Sequence, residues 1–213
     1  MADIKLTIGV PTAGRVCMGF AYSLVGMVSK LAAHGLPTLP EATVECNMDV
    51  VESSVIHTNR EKIVSRAIEN GRTHLMFLDD DMVFEPQVLE IMLGRRQHVV
   101  AANYLIKSET DPQFVAVGLD GKRVATKAQS TGIVPIAYTG FGISVFDLDV
   151  FKKVPQPWFQ PQFVPERCEY TTEDNPCYAK IREHGFSVYL DHDASKLVRH
   201  IGAHAWVWDQ QGK

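Results

Sequence analysis

The stretch Thr73-His74-Leu75-Met76-Phe77-Leu78-Asp79-Asp80-Asp81-Met82 constrains the fold of this chain more than any other. Leu75 to Leu78 is apolar without alternation, the pattern of a strand buried on both faces, and such strands belong to parallel sheets covered by helices. The run then stops at three adjacent carboxylates. Two like charges about 4 Å apart repel by roughly 4 kcal/mol at an effective dielectric near 20, so three acids at the mouth of a buried strand call for a cation. Hard, oxygen-rich clusters suit Mg²⁺ or Mn²⁺. In open α/β sheets, ligands bind beyond the carboxyl ends of the strands, where these acids fall. An Asp-rich strand end can also be an ordinary solvated turn, but three acids after a fully apolar strand favour metal or phosphate chemistry.

The flanking sequence repeats the same unit. Ile4 to Val10 reads as a first strand ending in the small-residue loop Pro11-Thr12-Ala13-Gly14-Arg15, which would let a ligand approach backbone N–H groups. A helical pattern follows from Val16 to Ala33, closed by Gly35, then a short second strand from Ala42 to Cys46. The next helix, Ile56 to Asn70, has an apolar stripe of Ile56, Ile63, Ala67 and Ile68. Asn59 and Arg60 sit on that stripe where apolar residues belong, so Arg60 either snorkels outward or faces a polar cleft and an anion. Beyond the acids, Glu85-Pro86 opens a helix with Val88, Leu89, Met92 and Leu93 inside, and His98 to Tyr104 is another strand. This alternation predicts an α/β fold, a mostly parallel sheet with helices on both faces.

The second half changes texture. Phe114–Val117 and Lys122–Thr126 flank the turn signal Asp120-Gly121, predicting a hairpin. Ile133–Tyr138 and Ile143–Phe146 enclose Thr139-Gly140-Phe141-Gly142. Pro155 to Pro161, with Trp158 inside it, reads as a loop. Thr171 to Pro176 leads a helix that runs to His184-Gly185, and Phe186 to Leu190 is a last strand before a histidine- and tryptophan-rich tail.

With 213 residues, one domain is expected. A net charge of −4 gives no electrostatic footprint for nucleic acid, though a local basic patch stays open. Cys17, Cys46, Cys168 and Cys177 lack C-x-x-C spacing and read as reduced core thiols. No apolar run approaches the ~18 residues of a membrane span, and no signal peptide precedes the first strand, so cytoplasmic residence is expected, in the host if the chain is phage-encoded.

Taken in order, several of these pieces resemble the GT-A fold glycosyltransferases, especially small stand-alone family-two-like members of bacteriophages and bacteria. They are Val10-Pro11-Thr12, Asn59-Arg60, Phe77 to Asp81 with Pro86, Thr139 to Gly142, Thr172-Glu173-Asp174, and His200-Ile201-Gly202. The resemblance implies a hexosyl- or pentosyltransferase with a nucleotide-sugar donor, a nucleotide-sugar-binding half at 1–105, and an acceptor-side half at 106–213 with a small antiparallel region and a C-terminal lid. It implies Mn²⁺ or Mg²⁺ held by Asp79, Asp81 and His200. Donor contacts would come from Pro11, Thr12, Arg15, Asn59, Arg60, Asp79, Asp80, Gly140, Phe141, Gly142 and Lys196, and acceptor contact from Trp158. Asp174 would be the general base of an inverting reaction, with Glu173 beside it; acids in the first turn of a helix can also serve only its positive end. Asp191-His192-Asp193 is an equally ligand-rich triplet without a place in this scheme.

Two other classes compete. A nucleotidyltransferase making nucleotide sugars would need a longer basic loop than Pro11 to Arg15. A non-catalytic divalent-ion module would explain Asp79 to Asp81 but not Asn59-Arg60 or Glu173-Asp174. His200 and His204, four apart, are a minor zinc option. The acceptor, whether a modified DNA base, a protein or a glycan, and any homo-oligomer are left open.

Overall fold

The computed structural model describes residues 3–108 and 110–202 and the backbone of 205–207. The elements in order are β1 (Ile4–Thr12), α1 (Met18–His34), β2 (Val44–Glu52), α2 (Ile56–Glu69), β3 (His74–Leu78), β4 (Met82–Phe84), α3 (Val88–Gly94) and β5 (Val99–Ala102). They continue with β6 (Val117–Gly118), β7 (Ile133–Tyr138), β8 (Ile143–Asp147), α4 (Asp149–Lys153), β9 (Phe163–Val164) and β10 (Glu169–Tyr170). Last come α5 (Asp174–Glu183), β11 (Tyr189–Asp191), α6 (His192–Ser195), β12 (Val198–Ile201) and β13 (Ala205–Val207).

One eight-stranded sheet, ordered β2-β1-β3-β8-β5-β11-β7-β6, draws strands from both halves of the chain. β2, β1 and β3 are parallel, β8 inserts antiparallel between β3 and β5, and β11 runs parallel to β5. β7 and β6 complete a small antiparallel end. The alternation of strand side chains sorts the core into two layers. Leu6, Ile8, Met76 and Leu78 pack toward Phe20 and Met27 of α1 and Val88 and Met92 of α3. Leu75 and Phe77 face the other way, onto Ile63 and Val64 of α2 and Tyr178 and Ile181 of α5. That places helices on both faces, as the unbroken apolar strands require.

Several elements depart from the sequence expectation. β2 runs to Glu52, well past Cys46, because it is an edge strand: one side is open to water, so Asn47 and Asp49 cost little, and Asn47 accepts from Thr7 Oγ1 at 2.8 Å. The hairpin expected between Phe114 and Thr126 shrinks to β6 and isolated bridges. Its backbone groups are used elsewhere: Val115 N–H donates to the Tyr104 carbonyl and Ala116 N–H to Asn103 Oδ1. β4 was not legible at all. It pairs antiparallel with β12, His200 opposite Met82. Cys168 is an exposed thiol, unlike the expected core placement, while Cys177 is buried. Among the described residues no helix is long and apolar enough to cross a membrane.

Asn59 ties the site end of the fold together. It donates to the carbonyls of Thr12 (3.2 Å) and Ser53 (3.0 Å) and accepts from Ser53 Oγ, pinning α2 to the ends of β1 and β2. Asn59→Ala removes these three hydrogen bonds, leaving the Thr12 carbonyl with Ser53 N–H alone, and should lower the unfolding free energy in urea by about 2 to 4 kcal/mol. A loss below about 1 kcal/mol would show that the strut carries no weight.

Candidate functional site

The turn after β3 is clamped from three sides through its backbone. Asp79 N–H donates to the Gly142 carbonyl at 2.9 Å, Cys17 N–H to the Asp80 carbonyl at 3.2 Å, and Ile201 N–H to the Asp81 carbonyl at 2.8 Å. Clamping fixes three carboxylates whose mutual repulsion would otherwise spread them, and each takes a different partner.

Asp79 Oδ1 accepts from Arg60 Nη2 at 2.7 Å. Asp80 Oδ2 accepts from the buried Thr12 hydroxyl at 2.5 Å. Burial pushes the Asp80 carboxyl above its ordinary range, the Thr12 hydrogen bond opposes this, and the Asp81 and Asp79 charges add to it. Asp81 Oδ2 binds the Lys107 ammonium and lies 3.4 Å from His200 Nε2. Burial works to raise Asp81, but the hydrogen bonds from His200 and Lys107 outweigh it and hold the carboxyl below its usual range.

Arg60 is the centre of the cluster. It is only 3% exposed, on the first turn of α2, and its Nε donates to Glu173 Oε1 at 3.1 Å. Its guanidinium carbon lies 5.2 and 4.9 Å from the ring centroids of Phe77 and Phe141, within cation–π range. Burial acts to discharge it, but Asp79, Glu173 and Asp174 push its pKa upward, so it stays a cation. Nη1 is buried without a hydrogen-bond partner among the described residues. Asp174, at the start of α5, is raised to about 8 by burial first and then by Glu173, with Arg60 opposing.

His200 arrives by sheet pairing. Its Nδ1–H donates to the Leu105 carbonyl at 2.9 Å, and Nε2 turns toward Asp81. Thr12, Asp79, Asp81, Arg60, Glu173 and His200 are thus joined through contacts with the acid turn or with one another. Pro11 is buried in β1 and Arg15 is exposed on the following loop.

Five expected donor contacts have other work. Asn59 is fully buried and saturated as described above. Phe141 is 1% exposed, stacked on Tyr178 with centroids 4.8 Å apart, so it is a core ring. Gly140 and Gly142 make room for Tyr104: a Cβ on Gly140 would lie 2.1 Å from Tyr104 Oη, and Gly142 N–H donates to that oxygen at 3.1 Å. Lys196 Nζ binds the Ser130 carbonyl. Trp158 is 6% exposed, and its indole N–H donates to the Val154 carbonyl at 2.7 Å. His204 lies outside the described residues. The triplet also finds its place: Asp191 caps α6 through Asp193 N–H and Ala194 N–H and is gripped by Arg95, while His192 Nδ1 meets Thr126 Oγ1. Lys107 was not foreseen, because a lysine in the polar run after Ile106 carries no local signal.

No protein-family model matches the sequence. No curated protein matches it either. Solved structures do. A197 from STIV is similar over 98% of this chain and 92% of its own, with a TM-score of 0.58 and 16% identity. A Drosophila β-1,4-galactosyltransferase 7 mutant, in complex with manganese, UDP-Gal and xylobiose, is similar over 93% of this chain and 71% of its own, with a TM-score of 0.51 and 13% identity. The fold is of the GT-A type. At these identities the likeness is one of fold alone. Within a GT-A arrangement the acid turn sits at the carboxyl end of β3, where an open α/β sheet places its ligands.

The raised Asp174 carboxyl makes a stability prediction. Its folded value of about 8 exceeds the ordinary 3.8, so the native state holds this proton more tightly than the unfolded chain. Its contribution is complete below the unfolded value and is lost as pH rises through about 8. Asp174→Asn removes that loss, so the substituted protein should gain melting temperature over wild type progressively between pH 4 and 8, with a plateau above. The slope of the difference should not exceed about 1.4 kcal/mol per pH unit. A pH-independent difference would place Asp174 in water.

Proposed function

We propose that this chain is a divalent-metal-dependent glycosyltransferase that moves a sugar from a nucleotide-diphosphate donor to an acceptor hydroxyl with inversion. One observation carries the reading: buried Arg60 joins Asp79, at the end of β3, to Glu173, at the start of α5 and 113 positions from the arginine in sequence. Arg60 thereby holds the acid on the proposed metal side and the acid beside the proposed base at one point.

The residues fit a divalent cation of the Mg²⁺ or Mn²⁺ kind. Asp81 Oδ2 and His200 Nε2, 3.4 Å apart, are spaced as neighbouring ligands of one ion with bonds of roughly 2.1 Å. The Lys107 ammonium on the same oxygen marks it as a cation position. Among the described residues no three metal-ligating side chains converge, unlike the expected Asp79, Asp81 and His200 set, so the ion would need its remaining ligands from diphosphate and water. Asp79 is engaged by Arg60, so Asp81 and His200 are the pair favoured as ligands. Such an ion would neutralise charge growing on the departing nucleoside diphosphate.

Asp174 accepts the acceptor hydroxyl proton as that oxygen bonds to the anomeric carbon. The anomeric carbon–diphosphate bond breaks, and its electron pair leaves with the diphosphate. A base poised near the working pH suits this task. Arg60 holds Glu173 and Asp79 in place, and its unpaired Nη1 offers a donor to an anionic oxygen. A plain ion-binding module leaves the raised Asp174 carboxyl without a purpose.

Two measurements test this. In calorimetric titrations with Mn²⁺ in the presence of UDP, Asp81→Asn and His200→Ala should each weaken metal affinity by roughly tenfold or more. Equal affinity in both substituted proteins would remove the ion from this position. Turnover of wild type, followed as release of nucleoside diphosphate, should rise with pH toward a plateau above about 8 as Asp174 loses its proton. Asp174→Asn should abolish turnover and leave UDP affinity unchanged; retained turnover would move the base elsewhere.

A further inference from the structure

We propose that the groove on the outer side of α5 is a binding site for the non-reacting part of a neutral oligosaccharide acceptor, seated on the exposed rings of Phe163 and Tyr170. The link to catalysis rests on the transferase reading above; the groove itself stands on separate geometry.

β9 and β10 form a two-stranded ribbon apart from the main sheet, with Tyr170 paired to Phe163. Their rings lie 5.3 Å apart at 57°, and they are 50% and 70% exposed. Two large aromatic faces held together in water are the kind of feature that marks a ligand surface. Beside them, between the ribbon, the Pro157–Pro161 segment and α5, opens a cavity of about 730 Å³ with Trp158 in its lining. That volume lies within the usual range for small-ligand sites. Glu61 fixes this wall by accepting from the backbone N–H groups of Trp158 and Phe159, so the groove is a built surface.

The groove ends at the turn that carries the proposed base. Tyr170 and Pro176 both line it, and they bracket Asp174 in sequence. Four residues span at most ~14 Å when extended, so the aromatic platform lies within that reach of Asp174. Pro176, Ala179, Lys180 and Glu183 line the groove, while Cys177, Tyr178 and Ile181 face the core. A ligand in the groove is therefore screened from Arg60 by the helix and meets the reacting centre only around its first turn. Such a site holds the length of an acceptor and leaves the donor alone.

The chemistry of the walls selects the class. Lys180 and Glu183 cancel in charge, so nothing here attracts a polyanion. Gln160 and Gln162 supply amide donors and acceptors for hydroxyl groups. Pro157, Pro161 and Pro176 lack backbone N–H groups, which leaves those walls poor in the main-chain partners a bound peptide strand needs. A pyranose ring has an apolar face for an aromatic side chain and a hydroxyl rim for amides.

The test is calorimetric titration of the full chain, without donor, using cello-, xylo-, malto-, manno- and chitopentaose, with a polyproline peptide as the rival and UDP with Mn²⁺ as a separate arm. At least one pentasaccharide should bind. Phe163→Ala and Tyr170→Ala should each weaken it by about tenfold or more, with UDP affinity and melting temperature unchanged. No binding by any pentasaccharide, binding indifferent to both substitutions, or binding by the peptide alone would overturn the proposal. Glycan binding without UDP binding would uphold the groove and count against the transferase reading.

Discussion

The site depends on a single buried cation. Moving a guanidinium out of water costs several kcal/mol even after relaxation, and an ion pair repays this only with good geometry and further partners. Arg60 has both: two carboxylates at 2.7 and 3.1 Å and two aromatic rings near 5 Å. Because Arg60 sits at the base of α2, which Asn59 fastens to β1 and β2, its fork has little freedom to follow either acid. The acids must therefore come to it. That requirement draws the first turn of α5 toward the end of β3.

Division of the three aspartates among different partners follows from the same electrostatics. Three neighbouring carboxylates cannot share one environment without repelling, so one takes a buried arginine, one a buried hydroxyl, and one a partly exposed lysine together with a histidine. Only the last has partners that a stronger cation could displace at small cost. Lys107 is a third exposed on a loop and the His200 ring is already anchored through its other nitrogen. The position open to exchange is thus set by which carboxylate lacks a rigid donor.

Much of the fold was readable because burial on both faces writes itself into composition. Leu75 to Leu78, Val99 to Ala102 and the stripe of α2 could hardly be anything else, and the parallel sheet with two helical layers follows. What stayed hidden was whatever depends on partners distant in sequence. β4 is three residues long and exists because β12 pairs with it, yet that pairing is what delivers His200 to Asp81. The glycines of Gly140-Phe141-Gly142 suggest a close approach, and there is one, but the visitor is Tyr104 from the protein itself. Phe141 and Arg60 carry no local sign that one packs on the other. The order of motifs was legible, and the identity of each contact was not.

Asp174 shows how the position of a side chain can discriminate between support and chemistry. An acid in the first turn of a helix normally gains 0.3 to about 1 kcal/mol from the unpaired N–H groups and the dipole, which favours its charged form. Were that the reason for its presence, its carboxyl would ionise more readily than usual. Instead burial, with Glu173 adjoining, outweighs the opposing Arg60 and pushes the carboxyl up to about 8. Natural chains tolerate a disfavoured charge where it performs a task. A first-turn acid that holds its proton near neutrality gains little from the helix end, which is why the proposed reading assigns it the acceptor's proton.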